Sequence, residues 1–238
     1  MISTALGAAV AAAAANVLGA AAVTSRRRWS VRALEAMVAL SAGFMICASL
    51  ADMLPEAIER GGHDAALVAL GGYLLVHLTQ HTLVQHFHFG EETHEVSSTV
   101  SMSALAGLLL HTFVDGVAIA SGFAVSTSLG VLVFVAILLH KFPEGLAISS
   151  LFLAAGAGRV RALGAAALLG AATIVGVLVT QLVAPITTHG LALSAGVTLY
   201  VGASNLVPEF QGKTGWRLPL AFFAGCALYF AARSVAHG

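Results

Sequence analysis

Two stretches of this sequence repeat one chemical pattern. His111-Thr-Phe-Val-Asp115-Gly-Val-Ala-Ile-Ala-Ser121 returns 29 residues later as His140-Lys-Phe-Pro-Glu144-Gly-Leu-Ala-Ile-Ser-Ser150. In each, a histidine and a carboxylate stand four residues apart, which places them on one helix face. Two such helices facing each other bring two imidazoles and two carboxylates to one point. A divalent cation there neutralises both carboxylates and accepts the imidazole nitrogens. The mixed N/O set suits Zn, Fe, Mn, Co, Ni or Cd better than Ca or Mg, which prefer oxygen alone. His111, Asp115, His140 and Glu144 are therefore the candidate metal ligands. A cation must displace protons from the histidines if they are charged, so binding is expected to weaken as pH falls. The same residues leave three alternatives open: a proton-conducting relay, an intramembrane metalloenzyme, and plain His–carboxylate hydrogen bonds between helices. A metalloprotease would want H-E-x-x-H on a helix, and the chain has no such stretch.

The elements that must position these residues follow from composition. Of 238 residues, 58% are hydrophobic and 9% charged, where a soluble domain carries roughly 25% charge. So few charges cannot cover a soluble surface. That excludes a water-soluble fold, a disordered chain and a nucleic-acid binder, and leaves an all-α polytopic membrane protein. Runs of about 20 apolar residues predict eight transmembrane helices, near 2–23, 33–54, 65–87, 100–123, 128–155, 162–184, 191–210 and 217–235. They form a single domain over 1–238, without a loop long enough for a soluble one. Arg26, Arg27, Arg28, Arg32, Arg159, Arg161, Lys213 and Arg217 then fall on one side, and only Arg60 and Arg233 on the other. The positive-inside rule puts the former in the cytoplasm and both termini outside. No positive charge precedes the first apolar run, so it reads as a retained helix rather than a signal peptide. The short loops point to a bacterial inner membrane. Cys47 and Cys226 lie in apolar runs and read as small hydrophobes. Lipid and metal ions are the expected partners, with a homodimer left open, and no organic cofactor is expected.

Ala39-Leu-Ser-Ala-Gly43 and Asp52-Met-Leu-Pro-Glu56 in the second span return as Ala192-Leu-Ser-Ala-Gly196 and Asn205-Leu-Val-Pro-Glu209 in the seventh, at a constant offset of 153. Five crossings separate the two, so they run oppositely, as in the inverted repeats of secondary transporters. The fourth and fifth spans form a second antiparallel repeat, with their His/carboxylate groups near mid-bilayer. Pro143 supplies no donor to the carbonyl of Leu139, which frees that carbonyl beside the site.

Intramembrane ionisable groups are functional by default, so further polar residues are assigned to a pathway. Asp52 and Glu56 mark an outer entrance, and Glu209 is their counterpart on the inner side. His86 and His88, with His94, Glu91, Glu92 and Glu95, form a short His-rich acidic tract in the inner loop that can bind metal loosely. His77 and His81 sit one turn apart, and Gln80 and His81 are expected to face the bundle interior or approach the exit. Thr112 and Lys141 follow the two motif histidines.

The paired motifs, H-x-x-x-D-G and H-K-x-P-E-G in consecutive spans, together with the Leu-Pro-Glu and Val-Pro-Glu endings, resemble the ZIP (Zrt/Irt-like) family of divalent metal transporters. The resemblance implies eight spans arranged 3+2+3, with spans 1–3 and 6–8 as the inverted repeat around spans 4 and 5. It also implies metal movement toward the cytoplasm, zinc foremost with cadmium, iron and manganese as further substrates. His111, Asp115, His140 and Glu144 fall on the family's primary site. Many members hold a second metal beside it. Here those places are Thr112, Lys141 and an uncharged span 6, so a single metal is expected, with the Lys141 ammonium in the second ion's space, paired with Asp115 or Glu144.

Overall fold

The computed structural model describes residues 2–25, 31–83 and 98–237, all-helical apart from short connections. The inner-loop candidates His86, His88, His94, Glu91, Glu92 and Glu95 lie outside the described residues. In chain order the helices are α1 (Ile2–Thr24), α2 (Val31–Ala48), α3 (Leu54–Leu83), α4 (Ser98–Val125), α5 (Thr127–Ala154), α6 (Arg159–Leu182), α7 (Ala184–Tyr200), α8 (Pro208–Gln211) and α9 (Arg217–His237). Six stretches are long and apolar enough to cross a membrane: Ser3–Thr24, Glu35–Thr82, Ser101–Val125, Thr127–Ala154, Arg159–Leu182 and Arg217–Val235. The second runs for 48 residues but breaks at Gly62 (φ 64°, ψ −154°). That φ is left-handed and suits glycine. α7 has 17 residues and continues into a π-helical turn, Val201–Leu206.

The helices form two groups. α1, α4, α5 and α6 pack on one another, α2 pairs with α9 and α3 with α7, these two pairs join through α2 and α7, and the groups meet chiefly along α2–α5 and α4–α7. Glycines set the closest seams. A Cβ on Gly19 would strike the Phe142 backbone, and one on Gly145 the Asn16 backbone, across α1/α5. Gly176 and Gly116 stand in the same relation to Phe113 and Thr173 across α4/α6. In the other group, Gly43 abuts Phe222 and Gly225 abuts Leu40 across α2/α9, while Gly72 abuts Leu193 and Gly196 abuts Ala69 across α3/α7. Small residues permit this backbone-to-backbone approach in membrane bundles. The offset of 153 carries Gly43 onto Gly196 and Gly72 onto Gly225, so the α2/α9 seam is repeated by α7/α3.

The repeat extends to backbone detail. π-helical turns occupy Ser49–Met53 and Val201–Leu206. The Leu54 N–H donates to Ser49 O, and the Val207 N–H donates to Gly202 O at 3.1 Å. Those two bonds are related by the same offset. Each turn precedes a proline, Pro55 or Pro208, which cannot donate to the ladder, and the wider i→i−5 turn absorbs the disruption.

Paired charges hold α2 to α9 at both ends. Glu35 accepts from Lys213 Nζ at 2.9 Å and from an Arg217 guanidinium nitrogen at 2.6 Å. Asp52 accepts from Arg233 Nε at 3.0 Å and from the Tyr229 hydroxyl. The two helices therefore run in the same direction. α3 and α7 also run together, with Ala69 opposite Gly196 and His77 opposite Tyr200. Tyr229 is fully buried. Tyr229→Phe is predicted to lower stability by about 1.5–3 kcal/mol, the range for a hydrogen bond to a charged group. An unchanged thermal midpoint in detergent would refute the clamp.

Candidate metal centre

α4 and α5 are joined through Ser126 alone, whose side chain caps α5 by accepting from Leu129 N at 3.1 Å. A connection this short makes the two helices antiparallel, so each motif reaches the centre from the opposite end. His111, Asp115, His140 and Glu144 are all buried, and one ligand atom from each lies within 4.8 Å of the others. Asp115 Oδ2 is 3.4 Å from both His111 Nε2 and His140 Nε2. Glu144 Oε2 is 3.8 Å from the first and 4.0 Å from the second. Four donors at zinc-ligand distances of about 2.0–2.1 Å stand about 3.3 Å apart in a tetrahedron, so this set needs only a small contraction to enclose a transition-metal ion. His140 Nδ1 lies 3.0 Å from Ala136 O. The proton this bond requires on Nδ1 leaves the Nε2 lone pair for a cation, the arrangement that fixes ligand tautomers in metal sites.

Lys141 is wholly buried beside these groups. Its Nζ is 2.6 Å from Asp115 Oδ2 and 3.0 Å from Glu144 Oε2, so the ammonium bridges both carboxylates rather than choosing one. Ser41 corrects the expectation of a free Leu139 carbonyl. Its hydroxyl lies 2.9 Å from Leu139 O and 2.8 Å from Met37 O, so α2 brings a donor to the carbonyl Pro143 leaves, one proton shared with its own helix. Asn16 was not foreseen. It is fully buried on α1, and its Nδ2 donates to Glu144 Oε1 at 3.2 Å. The signal was present: Asn16 is the lone amide in an otherwise apolar run. Asn205, the repeat-mate of Asp52, lines a cavity with Ser41, His111, His140 and Glu144.

The outlying candidates separate from this cluster. Asp52 is spent on Tyr229 and Arg233, and Glu56 on Arg60 at 2.6 Å. Thr112 is buried, with its hydroxyl donating to Leu109 O at 3.1 Å. His81 does not face the interior. It is exposed near the end of α3, its ring stacked at 4.1 Å on His77. The helix turns Gly72, Ala69 and His77 toward α7, His77 meeting Tyr200, while His81 lies one turn beyond. Glu209 lies on α8.

A family model described as ZIP zinc transporter matches residues 90–233, more than half of the chain and all of both motifs. This chain is a member of the ZIP family. No curated protein matches it. Membership makes it an integral membrane protein of a divalent-metal transporting family, and a buried His/carboxylate cluster able to hold a cation lies where the two motifs meet.

Proposed function

We propose that this ZIP protein carries a divalent transition-metal cation, zinc foremost, toward the cytoplasm through a single site formed by His111, Asp115, His140 and Glu144. The observation that carries the reading is the convergence of four ligand atoms from α4 and α5 on one buried point. Lys141 fills the carboxylate flank on which a second ion would sit, which supports one metal rather than two. The helix pairing supports eight crossings. Breaking Glu35–Thr82 at Gly62 adds one crossing to the six apolar stretches, and α7 with its π-helical continuation adds another. α2 and α9 run in the same direction, as second and eighth crossings must, and so do α3 and α7 as third and seventh. The charge bias of the loops supports an orientation with both termini outside.

A division into two groups that meet chiefly along α2–α5 and α4–α7 favours sliding of one group against the other as the transport movement. The site belongs almost wholly to the α1/α4/α5/α6 group, so its ligands travel together.

The test is metal flux into liposomes loaded with an indicator dye, with zinc, cadmium, iron(II) and manganese offered outside. Flux by the protein that is lost in a His111→Ala/Glu144→Ala variant is expected. A folded, inserted protein that moves none of these metals would overturn the reading. Asn16→Ala should weaken zinc binding roughly ten- to a hundredfold, since a hydrogen bond to a charged group contributes about 1.5–3 kcal/mol. Calorimetric titration with an unchanged affinity would remove Asn16 from the site.

A further inference from the structure

Resting on that metal-site reading, we propose that Lys141 is a built-in counter-cation that lets the carrier return without metal. Glu144 Oε2 and Asp115 Oδ2 face the two imidazole Nε2 atoms and also receive the Lys141 ammonium. Each of these oxygens therefore serves the fixed cation and the travelling one. Asn16 holds the other oxygen of Glu144 at 3.2 Å, which confines the carboxylate to this shared use.

The charges decide the consequence. Without Lys141 the emptied site would hold two buried carboxylates and no cation. Unpaired charge is expensive at mid-bilayer, so an emptied site of that kind would reorient only after taking another cation. With Lys141 present, one carboxylate charge is balanced permanently by an ammonium that is 0% exposed. The same positive charge repels the incoming divalent ion. It weakens binding and hastens release, as fits a carrier that must discharge its cargo. Lys141 acts on transport through the carboxylates and is a positioning residue, not a ligand.

The prediction concerns a ratio that a merely structural role would not move. Purified protein is reconstituted in liposomes of two kinds: metal-free inside, to read net zinc uptake, and preloaded with zinc, to read exchange of a zinc isotope. Exchange needs no empty return, while net uptake does. In Lys141→Gln the ratio of net uptake to exchange should fall at least about tenfold, whatever the absolute exchange rate, and zinc should bind at least about tenfold tighter. Lys141→Arg keeps the charge and should restore the ratio. Lys141→Met, neutral and similar in length, should behave like Lys141→Gln. An unchanged ratio in the neutral variants overturns the proposal. So does loss of both activities in the Gln and Met variants while Lys141→Arg transports normally, because that assigns Lys141 to folding. Failure of the native protein to move metal at all is a separate result and strikes the site reading instead.

Discussion

Replacing Asp115 with alanine is expected to abolish metal uptake, with a loss of at least about a hundredfold, and to destabilise the protein at the same time. Asp115 Oδ2 is the hub of the cluster, 3.4 Å from each imidazole nitrogen and 2.6 Å from the Lys141 ammonium. Its removal takes away one of two anionic ligands, so a divalent cation meets one carboxylate and a fixed positive charge. It also leaves Lys141 buried with Glu144 as its remaining anionic partner. Because Glu144 still pairs with Lys141 at 3.0 Å, the loss stays below the roughly 3–5 kcal/mol of leaving a buried charge uncompensated. Asp115→Asn separates the two losses, because the amide oxygen still accepts from Lys141 while the charge is gone. Uptake should stay lost in Asp115→Asn, with part of the stability restored. Liposome flux and thermal midpoints measured on both variants check this. Wild-type uptake in Asp115→Ala would refute the assignment of the hub.

The second large effect involves no polar atom. Gly116→Val or Gly145→Val should leave little folded protein. Gly116 lies against the Thr173 backbone and Gly145 against the Asn16 backbone, so an added side chain meets main chain that cannot rotate aside. Overpacking in a well-packed core typically costs about 1–3 kcal/mol, and a collision with backbone lies at or beyond the upper end of that range. The helix must move outward, which draws apart the α1/α5 or α4/α6 seam and carries the neighbouring Asp115 or Glu144 with it. Gly164→Val is the control, since nothing lies near a Cβ there. Yield of monodisperse protein and thermal midpoint report the difference. Equal behaviour of Gly164→Val and Gly145→Val would sink the argument.

The centre was legible because its code is local. His111 with Asp115 and His140 with Glu144 each lie within one helical turn, and a one-residue joint forces their two helices together. The second-to-seventh span repeat was legible for a similar reason, since a constant offset survives in sequence. Asn16 was not, because its partner is 128 residues away and no period links them. The grouping of α1 with α4, α5 and α6 was hidden too. It rests on glycine pairs whose partners are backbone atoms, and an Ala- and Gly-rich chain offers many glycines of equal appearance. Asp52 and Glu56 looked alike near one helix end. Only the approach of α9 gives Asp52 its partners, while Glu56 finds Arg60 on its own helix. The carbonyl freed by Pro143 was foreseen, but not the hydroxyl that answers it, because Ser41 comes from a helix 98 residues earlier.

The clamp between α2 and α9 carries a consequence for biosynthesis. The ribosome delivers Glu35 and Asp52 to the membrane about 180 residues before their partners, as separations of 182 for Glu35–Arg217 and 181 for Asp52–Arg233 show. For most of the translation of this stretch both acids wait unanswered, until Lys213 and α9 emerge to neutralise them. A nascent chain halted before Lys213 would keep both carboxylates without these partners and an uncovered Gly43 face.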